Sequence, residues 1–264
     1  MNYKLIATDM DGTLLDREGK IPETTAAAVQ KLVESGVIFT LSTGRPIQGI
    51  EKYIEQLHLK GPMITYNGAE IVDAETHRIL YKKDLLLSDA ERIFSLGQRF
   101  GTNVIIWGDG RLFANNDSER IIKYCERVNL KPIVIDSIAD LDGVSVTKIL
   151  WADEAETIAR VQEEIAEESF NEVTFCTSTP RLLEFFNKNV SKAEAMRRIG
   201  EMCGITREEM IAVGDGQNDI SMIQYAGLGV AMENASDEVK SHADYITASH
   251  REEGVLRLIE KFFG

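Results

Sequence analysis

The sequence has little cysteine, no long apolar segment and no pattern typical of a secretory leader, and each of these argues against a class of protein. Its three cysteines, Cys125, Cys176 and Cys203, form an odd and scattered set, which argues against a disulfide framework or a zinc site. No apolar run approaches the roughly 18 residues that a membrane span needs. The N-terminal segment MNYKLIATDMDGTLL lacks a basic start followed by a long apolar stretch. A reducing cytoplasm is therefore the expected location.

Positive charge is also scarce. The 29 Lys and Arg residues are outnumbered by 43 Asp and Glu residues, which gives a formal charge of -14 at pH 7. Such a surface repels nucleic acid and anionic membrane, so we expect neither as a partner. The 264 residues, 44% hydrophobic and 27% charged, are typical of a globular protein with one large domain or a core and a smaller second domain.

Short apolar strands alternate with helices at both ends of the chain. Strands and then a hairpin are predicted in the N-terminal part at 4–8, 37–42, 63–66 and 69–82. The alternation resumes at Ser191, which is predicted to form a capping box with Glu194 for a helix ending near Cys203. This pattern indicates right-handed crossovers and a parallel sheet.

The middle of the chain has a different pattern. Two strand-forming runs flank the turn sequence Gly-Asp-Gly at 108–110, and further strands and helices follow without regular alternation. We therefore predict an α/β protein with a Rossmann-like parallel-sheet core formed by residues 1–83 and 188–264. Residues 84–187 are predicted to form an inserted α+β domain.

Two pairs of carboxylates follow predicted strands. Asp9 and Asp11 lie in Asp-Met-Asp-Gly-Thr, and Asp215 and Asp219 lie in Gly-Asp-Gly-Gln-Asn-Asp. Ligands of open parallel sheets bind beyond the carboxyl ends of the strands, so we expect these acids to converge. Four acids in one cleft repel each other unless a cation binds. Hard oxygen ligands, in a chain with few histidines, favour magnesium over zinc.

Such a group of acids suits phosphoryl transfer, which needs an in-line nucleophile, charge neutralisation and a group that handles protons. Asp9 is the predicted nucleophile, and the reaction would pass through an aspartyl-phosphate. Asp11 follows in a turn that Gly12 permits. It is the predicted general acid and base, which protonates the leaving alcohol and later deprotonates water.

Four other residues are candidates for phosphate binding. Thr43 supplies a hydroxyl, and Thr43 and Gly44 supply backbone amides near a helix start. Lys192 lies in the first turn of its helix, where the dipole disfavours a cation unless the cation faces an anion. Asn218 can donate to phosphate or orient an acid. Each feature alone is common in surface turns, but their occurrence together and in order favours a phosphate site.

The other reactive side chains are interpreted as structural. The four histidines show no ligand spacing. Cys203 is predicted to be a core residue of its helix. The acidic run 163–168 is predicted to be a solvated helix face.

With these residues in place, the sequence resembles the haloacid dehalogenase superfamily. More narrowly, it resembles the Cof-like sugar-phosphate phosphatases, which carry a large α/β cap inserted late in the chain. LIATDMDGTLL resembles the first motif of that family, LSTGRP the second and GDGQNDISMI the fourth, while Lys192 falls at the third-motif lysine. YNGAEI looks like the segment after the third strand. The resemblance spans the core. In the inserted domain it is limited to the length of the insertion and its position in the chain.

The resemblance implies a role for each candidate residue and a magnesium cofactor. The implied catalytic residues are Asp9, Asp11, Thr43 and Lys192. The implied phosphate contacts are Thr43, Gly44, Lys192 and Asn218. The implied metal site comprises Asp9, the backbone carbonyl of Asp11, Asp215 and, through water or hydrogen bonds, Asp219. One departure is Asn-Val-Ser-Lys-Ala at 189–193, where the family commonly has Gly-Val-Ser-Lys-Gly. We expect Lys192 to keep its place and Asn189 to replace a glycine at a positive φ.

The leading hypothesis is hydrolysis of small phosphate monoesters, with a sugar phosphate or a similar small phosphorylated metabolite as substrate. The inserted domain would close over the core and select the leaving group. One alternative is a phosphosugar mutase, which should need a bisphosphate activator. Another is a phospho-aspartate signalling module, although Asp11 would hydrolyse its acyl phosphate quickly and the insertion would be needless. An idle binding protein is disfavoured because clustered carboxylates cost stability. Nothing in the sequence requires more than a monomer.

Overall fold

A computed structural model describes residues 3–128, 130–166 and 168–264, with all of their side chains except those of Arg127 and Ser178. Among these residues, no helix has both the length and the apolar content to cross a membrane.

The contacts divide the chain into two units. One unit combines Met1–Tyr81 with Val190–Gly264, and the other is Lys82–Asn189. The second unit is thus an insertion within the first.

The helices and strands follow one another in three runs. The N-terminal run comprises β1 (Leu5–Thr8), α1 (Glu23–Glu34), β2 (Ile38–Leu41), α2 (Glu51–Leu57), β3 (Pro62–Thr65), β4 (Glu70–Asp73) and β5 (Ile79–Lys82). The middle run comprises α3 (Leu87–Arg99), β6 (Asn103–Gly108), β7 (Arg111–Ala114), α4 (Glu119–Arg127), β8 (Ile133–Val134), β9 (Val146–Ala152), α5 (Ala155–Ile165), β10 (Val173–Thr179) and β11 (Leu182–Asn187). The C-terminal run comprises α6 (Lys192–Cys203), β12 (Met210–Gly214), α7 (Ile220–Tyr225), β13 (Leu228–Met232), α8 (Asp237–Lys240), β14 (Tyr245–Thr247) and α9 (Gly254–Phe263).

The first unit is built on a parallel sheet with the strand order β14-β13-β12-β1-β2. The central strand β1 is buried on both faces, which explains its unbroken apolar sequence. Ile6 packs into the cluster that includes residues of α1, α2 and α9, whereas Leu5 and Ala7 pack into the cluster that includes α6 and α7. The predicted α/β class with a parallel-sheet core is confirmed.

The chain changes direction across the sheet between β1 and β12. From β1 it continues to β2 on one side, and from β12 it continues through β13 to β14 on the other. Thr8 of β1 is aligned with Val213 of β12, and both strands point the same way. The loops that follow these two strands therefore diverge and leave a crevice, which is where open α/β sheets bind ligands.

The third predicted strand lies largely outside this parallel sheet. Strand β3 forms an antiparallel sheet in the order β3-β4-β5, and a bridge between Ser42 and Ile64 connects it to the end of β2. Its opposite edge is occupied by β4, because the turn Tyr66–Gly68 sends the chain straight back.

Helix α6 begins as predicted, but its capping box is only half formed. Ser191 Oγ accepts a hydrogen bond from Glu194 N at 3.1 Å. The Glu194 carboxylate instead accepts from Arg197 at 2.7 and 2.8 Å and lies 2.9 Å from Arg198 Nε. Charged partners on the next turn bind this carboxylate more strongly than the amide of Ser191 would.

Two predictions about single residues are wrong. Cys203 continues the buried stripe of α6 but is exposed, because it is the last residue of the helix and Gly204, with φ +66°, turns the chain there. Asn189 does not have a positive φ. Its backbone N and side-chain Nδ2 donate to Asn187 Oδ1 at 3.0 and 3.1 Å, so the asparagine is held by hydrogen bonds and not selected for a left-handed conformation.

The inserted unit contains a mixed sheet in the order β10-β11-β9-β6-β7-β8. Its strands pair antiparallel except for β7 with β8. Apolar residues of α3 and α5 pack with one face of this sheet to form a separate hydrophobic core. The unit therefore has the α+β character expected for the middle of the chain.

A buried ion pair links two central strands of the inserted unit. Lys148 on β9 and Glu184 on β11 are 3% and 5% exposed, and Nζ lies 2.9 Å from Oε2. Burial by itself would lower the pKa of Lys148, but Glu184, together with Tyr124 and Cys176, outweighs it and the pKa is raised. Each charge is therefore stabilised by its partner and not by water.

We expect Lys148→Met to destabilise the inserted unit by about 3–5 kcal/mol, because it leaves the Glu184 carboxylate buried and uncompensated. The double variant Lys148→Met/Glu184→Leu should recover most of this loss, since it removes both charges. Urea unfolding followed by tryptophan fluorescence reports on this unit alone, because both tryptophans, Trp107 and Trp151, lie in it. A double variant as unstable as Lys148→Met would contradict the prediction.

Candidate active site

Asp9 is the first residue after β1, in the crevice between β1 and β12. Its backbone N donates to Val213 O at 2.9 Å, which continues the parallel pairing one residue past the strand. The residue is only 7% exposed. A carboxylate this deeply buried needs compensating partners.

The chain leaves Asp9 through a tight turn over Met10–Leu14. Leu15 N donates to Met10 O at 2.9 Å, and Gly12 has φ +90°. A Cβ at Gly12 would lie 2.3 Å from Asp215 Oδ2. Glycine is thus required twice, for the backbone conformation and for the approach of the Asp215 carboxylate.

Lys192 is the principal cationic partner of the buried acids. It is the first residue of α6 and is 1% exposed. Its Nζ lies 2.7 Å from Asp9 Oδ1, 2.6 Å from Asp219 Oδ1 and 2.7 Å from Ser42 O. These three acceptors use all three ammonium hydrogens, so the side chain is held in one position.

The start of α6 can lie this deep because Gly68 approaches it closely. Gly68 has φ +103°, and a Cβ there would lie 2.3 Å from Ser191 O. A larger residue would displace Ser191 and, with it, the adjoining Lys192.

Asp219 is folded back onto its own loop. Its Oδ2 accepts hydrogen bonds from Asp215 N at 3.1 Å and from Gly216 N at 2.9 Å. A Cβ at Gly214 would lie 2.4 Å from Asp219 Cγ, so glycine at the end of β12 makes room for this arrangement. Asp219 therefore receives donors on both oxygens, from the backbone and from Lys192.

Asp215 completes the group of acids. Oxygen atoms of Asp9, Asp215 and Asp219 all lie within 4.8 Å of one another. Thr13 Oγ1 donates to Asp215 Oδ1 at 2.8 Å, and Asn234 Nδ2 donates to Asp215 Oδ2 at 3.2 Å.

The electrostatics of this group favour a bound cation. Burial, and then repulsion from Asp219, raise the pKa of Asp9 to about 8 against the opposing effect of Lys192. Burial is also the largest cause that raises the pKa of Asp215 to about 6. Three carboxylates in their ionised form beside one ammonium would carry two excess negative charges. Hard oxygen donors in this arrangement suit a divalent cation such as Mg²⁺, which would favour the ionised form of Asp9 and Asp215.

Asp11 is not a member of this group of three acids. It is exposed, and its carboxylate forms a bidentate ion pair with Arg45: Nε to Oδ2 is 2.8 Å and Nη2 to Oδ1 is 2.5 Å. The acid grouping found in the described residues does not include it. Of the four acids predicted to converge, three therefore form one group, whereas Asp11 is exposed and paired with Arg45.

Thr43 lies just beyond β2 and is 2% exposed. Its backbone N donates to Ile64 O at 3.0 Å, and its Oγ1 accepts from Arg45 N at 3.2 Å. Because Oγ1 acts as an acceptor in this contact, its own hydrogen can be directed to an anion.

Asn67 connects the Thr43 loop with the loop that carries Asn218. Its backbone N donates to Thr43 O at 2.9 Å, and its Oδ1 accepts from Asn218 Nδ2 at 3.0 Å. A Cβ at Gly44 would lie 3.2 Å from the Asn67 carboxamide, so the Thr43 loop is in close contact with the turn that carries Asn67. Thr43, Gly44 and Asn218, predicted from separate motifs, thereby meet around one asparagine.

A family model for haloacid dehalogenase-like hydrolases matches residues 6–259. The chain belongs to this family. The uracil-derivative phosphatase YcsE of Bacillus subtilis, named 5-amino-6-(5-phospho-D-ribitylamino)uracil phosphatase, is 33% identical to this hydrolase over 260 residues, 98% of this chain and 95% of its own.

Solved structures agree with this assignment. A haloacid dehalogenase-like hydrolase from Bacteroides thetaiotaomicron is 30% identical and superimposes with a TM-score of 0.89 over 99% of this chain and 100% of its own. A sugar phosphatase of subclass IIB of the same superfamily is 26% identical, with a TM-score of 0.84 over 98% of both chains. The family resemblance drawn from the sequence is confirmed, and its phosphatase branch is supported.

Sequence reasoning missed four polar residues that contact the candidate site of this hydrolase: Arg45, Asn67, Thr13 and Asn234. The first three lie inside the motifs LSTGRP, YNGAEI and LIATDMDGTLL, but those motifs by themselves predict no contact for them. Asn234 carried no signal, because it lies 19 residues from Asp215 and outside every motif.

Proposed function

We propose that this hydrolase is a magnesium-dependent phosphatase of small phosphate monoesters, with Asp9 as its nucleophile. The observation that carries the proposal is the group of Asp9, Asp215 and Asp219, whose carboxylate oxygens lie within 4.8 Å of one another, with the Lys192 ammonium paired to Asp9 and Asp219. Asp9, Asp215 and Asp219 would hold the ion together with the backbone carbonyl of Asp11. Bound magnesium would neutralise charge on the transferring phosphoryl oxygens.

The chain's own residues then account for both chemical steps. An Asp9 oxygen attacks phosphorus, the bond to the ester oxygen breaks, and Asp11 donates its proton to the leaving alkoxide. Asp11 next takes a proton from water, the resulting hydroxide attacks phosphorus, and the Asp9 carboxylate is released together with inorganic phosphate. Asp11 has to leave its ion pair with Arg45 to act in this way.

Lys192, Thr43, Gly44 and Asn218 are proposed to hold the phosphoryl group. All three hydrogens of the Lys192 ammonium already have protein acceptors. Contact between Lys192 and phosphate therefore requires the exchange of one acceptor. Its ammonium beside Asp9 opposes the effect of burial on the Asp9 pKa and so favours the ionised carboxylate, which is the form a nucleophile needs.

We propose a phosphorylated sugar or sugar alcohol as the substrate class. The names of two similar proteins support this class: one is a sugar phosphatase, and the other acts on a phospho-D-ribityl compound. The inserted domain, residues 84–187, is proposed to be the cap that selects the leaving group.

The test is phosphate release from a panel of phosphorylated sugars and sugar alcohols, with magnesium and with excess chelator. We expect release that chelator abolishes and that magnesium restores. Release unaffected by chelator would overturn the proposed metal dependence. If phosphate instead moved to another hydroxyl of the same sugar when a bisphosphate was added, the protein would be a mutase.

A further inference from the structure

Asn234 lies in the turn after β13 and joins three loops. Its Nδ2 donates to Gly12 O at 2.9 Å and to Asp215 Oδ2 at 3.2 Å. Its Oδ1 accepts from His250 N at 3.0 Å. Asn234 lies outside all four motifs and has no role in the proposed phosphoryl transfer.

The orientation of the Asn234 carboxamide is determined by its neighbours. The backbone N of His250 can only donate, so the atom that faces it must be the carboxamide oxygen. The NH₂ group therefore faces Gly12 O and Asp215 Oδ2, both of which can accept. Each NH₂ hydrogen therefore has one acceptor, and both donors of the side chain are engaged.

Asp215 is consequently held from both sides. Thr13 donates to Oδ1 and Asn234 donates to Oδ2. One lone pair on each oxygen is used in this way, and the other is left for a cation. The plane of the carboxylate is fixed by the protein before any ion binds.

The same NH₂ group sets the position of the Gly12 carbonyl, next to the close contact between Gly12 and Asp215. Hydrogen bonds of this kind behind a metal ligand commonly contribute about 10–100-fold to metal affinity.

We propose that Asn234 is a positioning residue that orients the Asp215 carboxylate, and the loop at Gly12, for the divalent cation. The inference rests on the proposed magnesium site. It adds to that site a residue from the turn after β13, which lies outside all four motifs.

The test is a calorimetric titration of the full chain with MgCl₂, comparing wild type, Asn234→Ala and Asn234→Leu. We expect both variants to bind Mg²⁺ at least about tenfold more weakly. Leucine has the same branching at Cγ as asparagine but no donors, so an equal effect of the two variants assigns the loss to the donors. The stabilisation of each protein by Mg²⁺ in thermal unfolding is a second readout, and it should fall in parallel.

Asn115→Ala is the matched control. Asn115 Oδ1 accepts from Val104 N at 2.9 Å and its Nδ2 donates to Thr102 O at 3.0 Å, all within the inserted unit. Its removal costs similar hydrogen bonds but should leave Mg²⁺ affinity unchanged. Normal Mg²⁺ affinity in both Asn234 variants would overturn the inference alone. Failure of the wild type to bind Mg²⁺ would overturn the proposed metal site, and the inference with it.

Discussion

Asp9→Asn is expected to abolish phosphate release and to leave the metal-free protein at least as stable as the wild type. Asparagine is nearly the same size as aspartate, but its amide cannot form the covalent intermediate, so the rate should fall at least about 10³-fold. The expected effect on stability has the opposite sign. Burial and repulsion from Asp219 raise the pKa of Asp9 to about 8, and a neutral side chain removes that strain.

Two measurements separate a chemical defect from a folding defect in this variant. Phosphate release is assayed with saturating magnesium, and thermal unfolding is followed in chelator. Asp237→Asn is the control: this aspartate is exposed in the first turn of α8, away from the buried acids, and its replacement should change neither quantity. Activity close to that of the wild type in Asp9→Asn would remove Asp9 from the role of nucleophile.

Lys192→Met is expected to destabilise the metal-free protein by about 3–5 kcal/mol, the cost of leaving buried charges without their partner. Methionine fills much of the same space but leaves Asp9 and Asp219 facing each other, with Ser42 O also deprived of its donor. Water cannot easily replace the missing ammonium as a partner of these carboxylates, since the lysine side chain is fully buried.

Magnesium should stabilise Lys192→Met more than it stabilises the wild type. Without the ammonium, all three carboxylate charges are available to the cation, and a ligand that binds the native state raises its stability. Urea unfolding is followed by far-ultraviolet circular dichroism with and without MgCl₂, since both tryptophans lie in the other unit. Lys31→Met, at an exposed position of α1, should change stability by no more than about 0.5 kcal/mol. An equally small loss in Lys192→Met would show that the buried pairs contribute little.

The grouping of the acids could be predicted only in part from their positions at the ends of parallel strands. Asp9, Asp215 and Asp219 were placed together because parallel strands deliver their following residues to the same edge, and the register of β1 with β12 brings them there. The same reasoning placed Asp11 with them. It did not hold for the carboxylate of Asp11, because Arg45 from another loop binds it outside the group.

Local patterns therefore determined the elements and their order. Apolar runs, helix starts and turn glycines depend on neighbours within a few residues, so strands, helices and the position of Asp9 at a strand end could be read from the chain alone. The family resemblance depended on such short motifs as well, which is why it was visible without a structure.

Only the tertiary structure decided which distant residues support these motifs. Lys192 and Asp9 are 183 residues apart, and Asn234 and Gly12 are 222 apart. Their contacts arise from the order of strands in the sheet and from close approaches such as Gly68 to Ser191. Burial, which sets the charge balance among the acids, is a property of all these segments together. No local pattern records it, because desolvation depends on what packs around a side chain and not on what precedes it in the sequence.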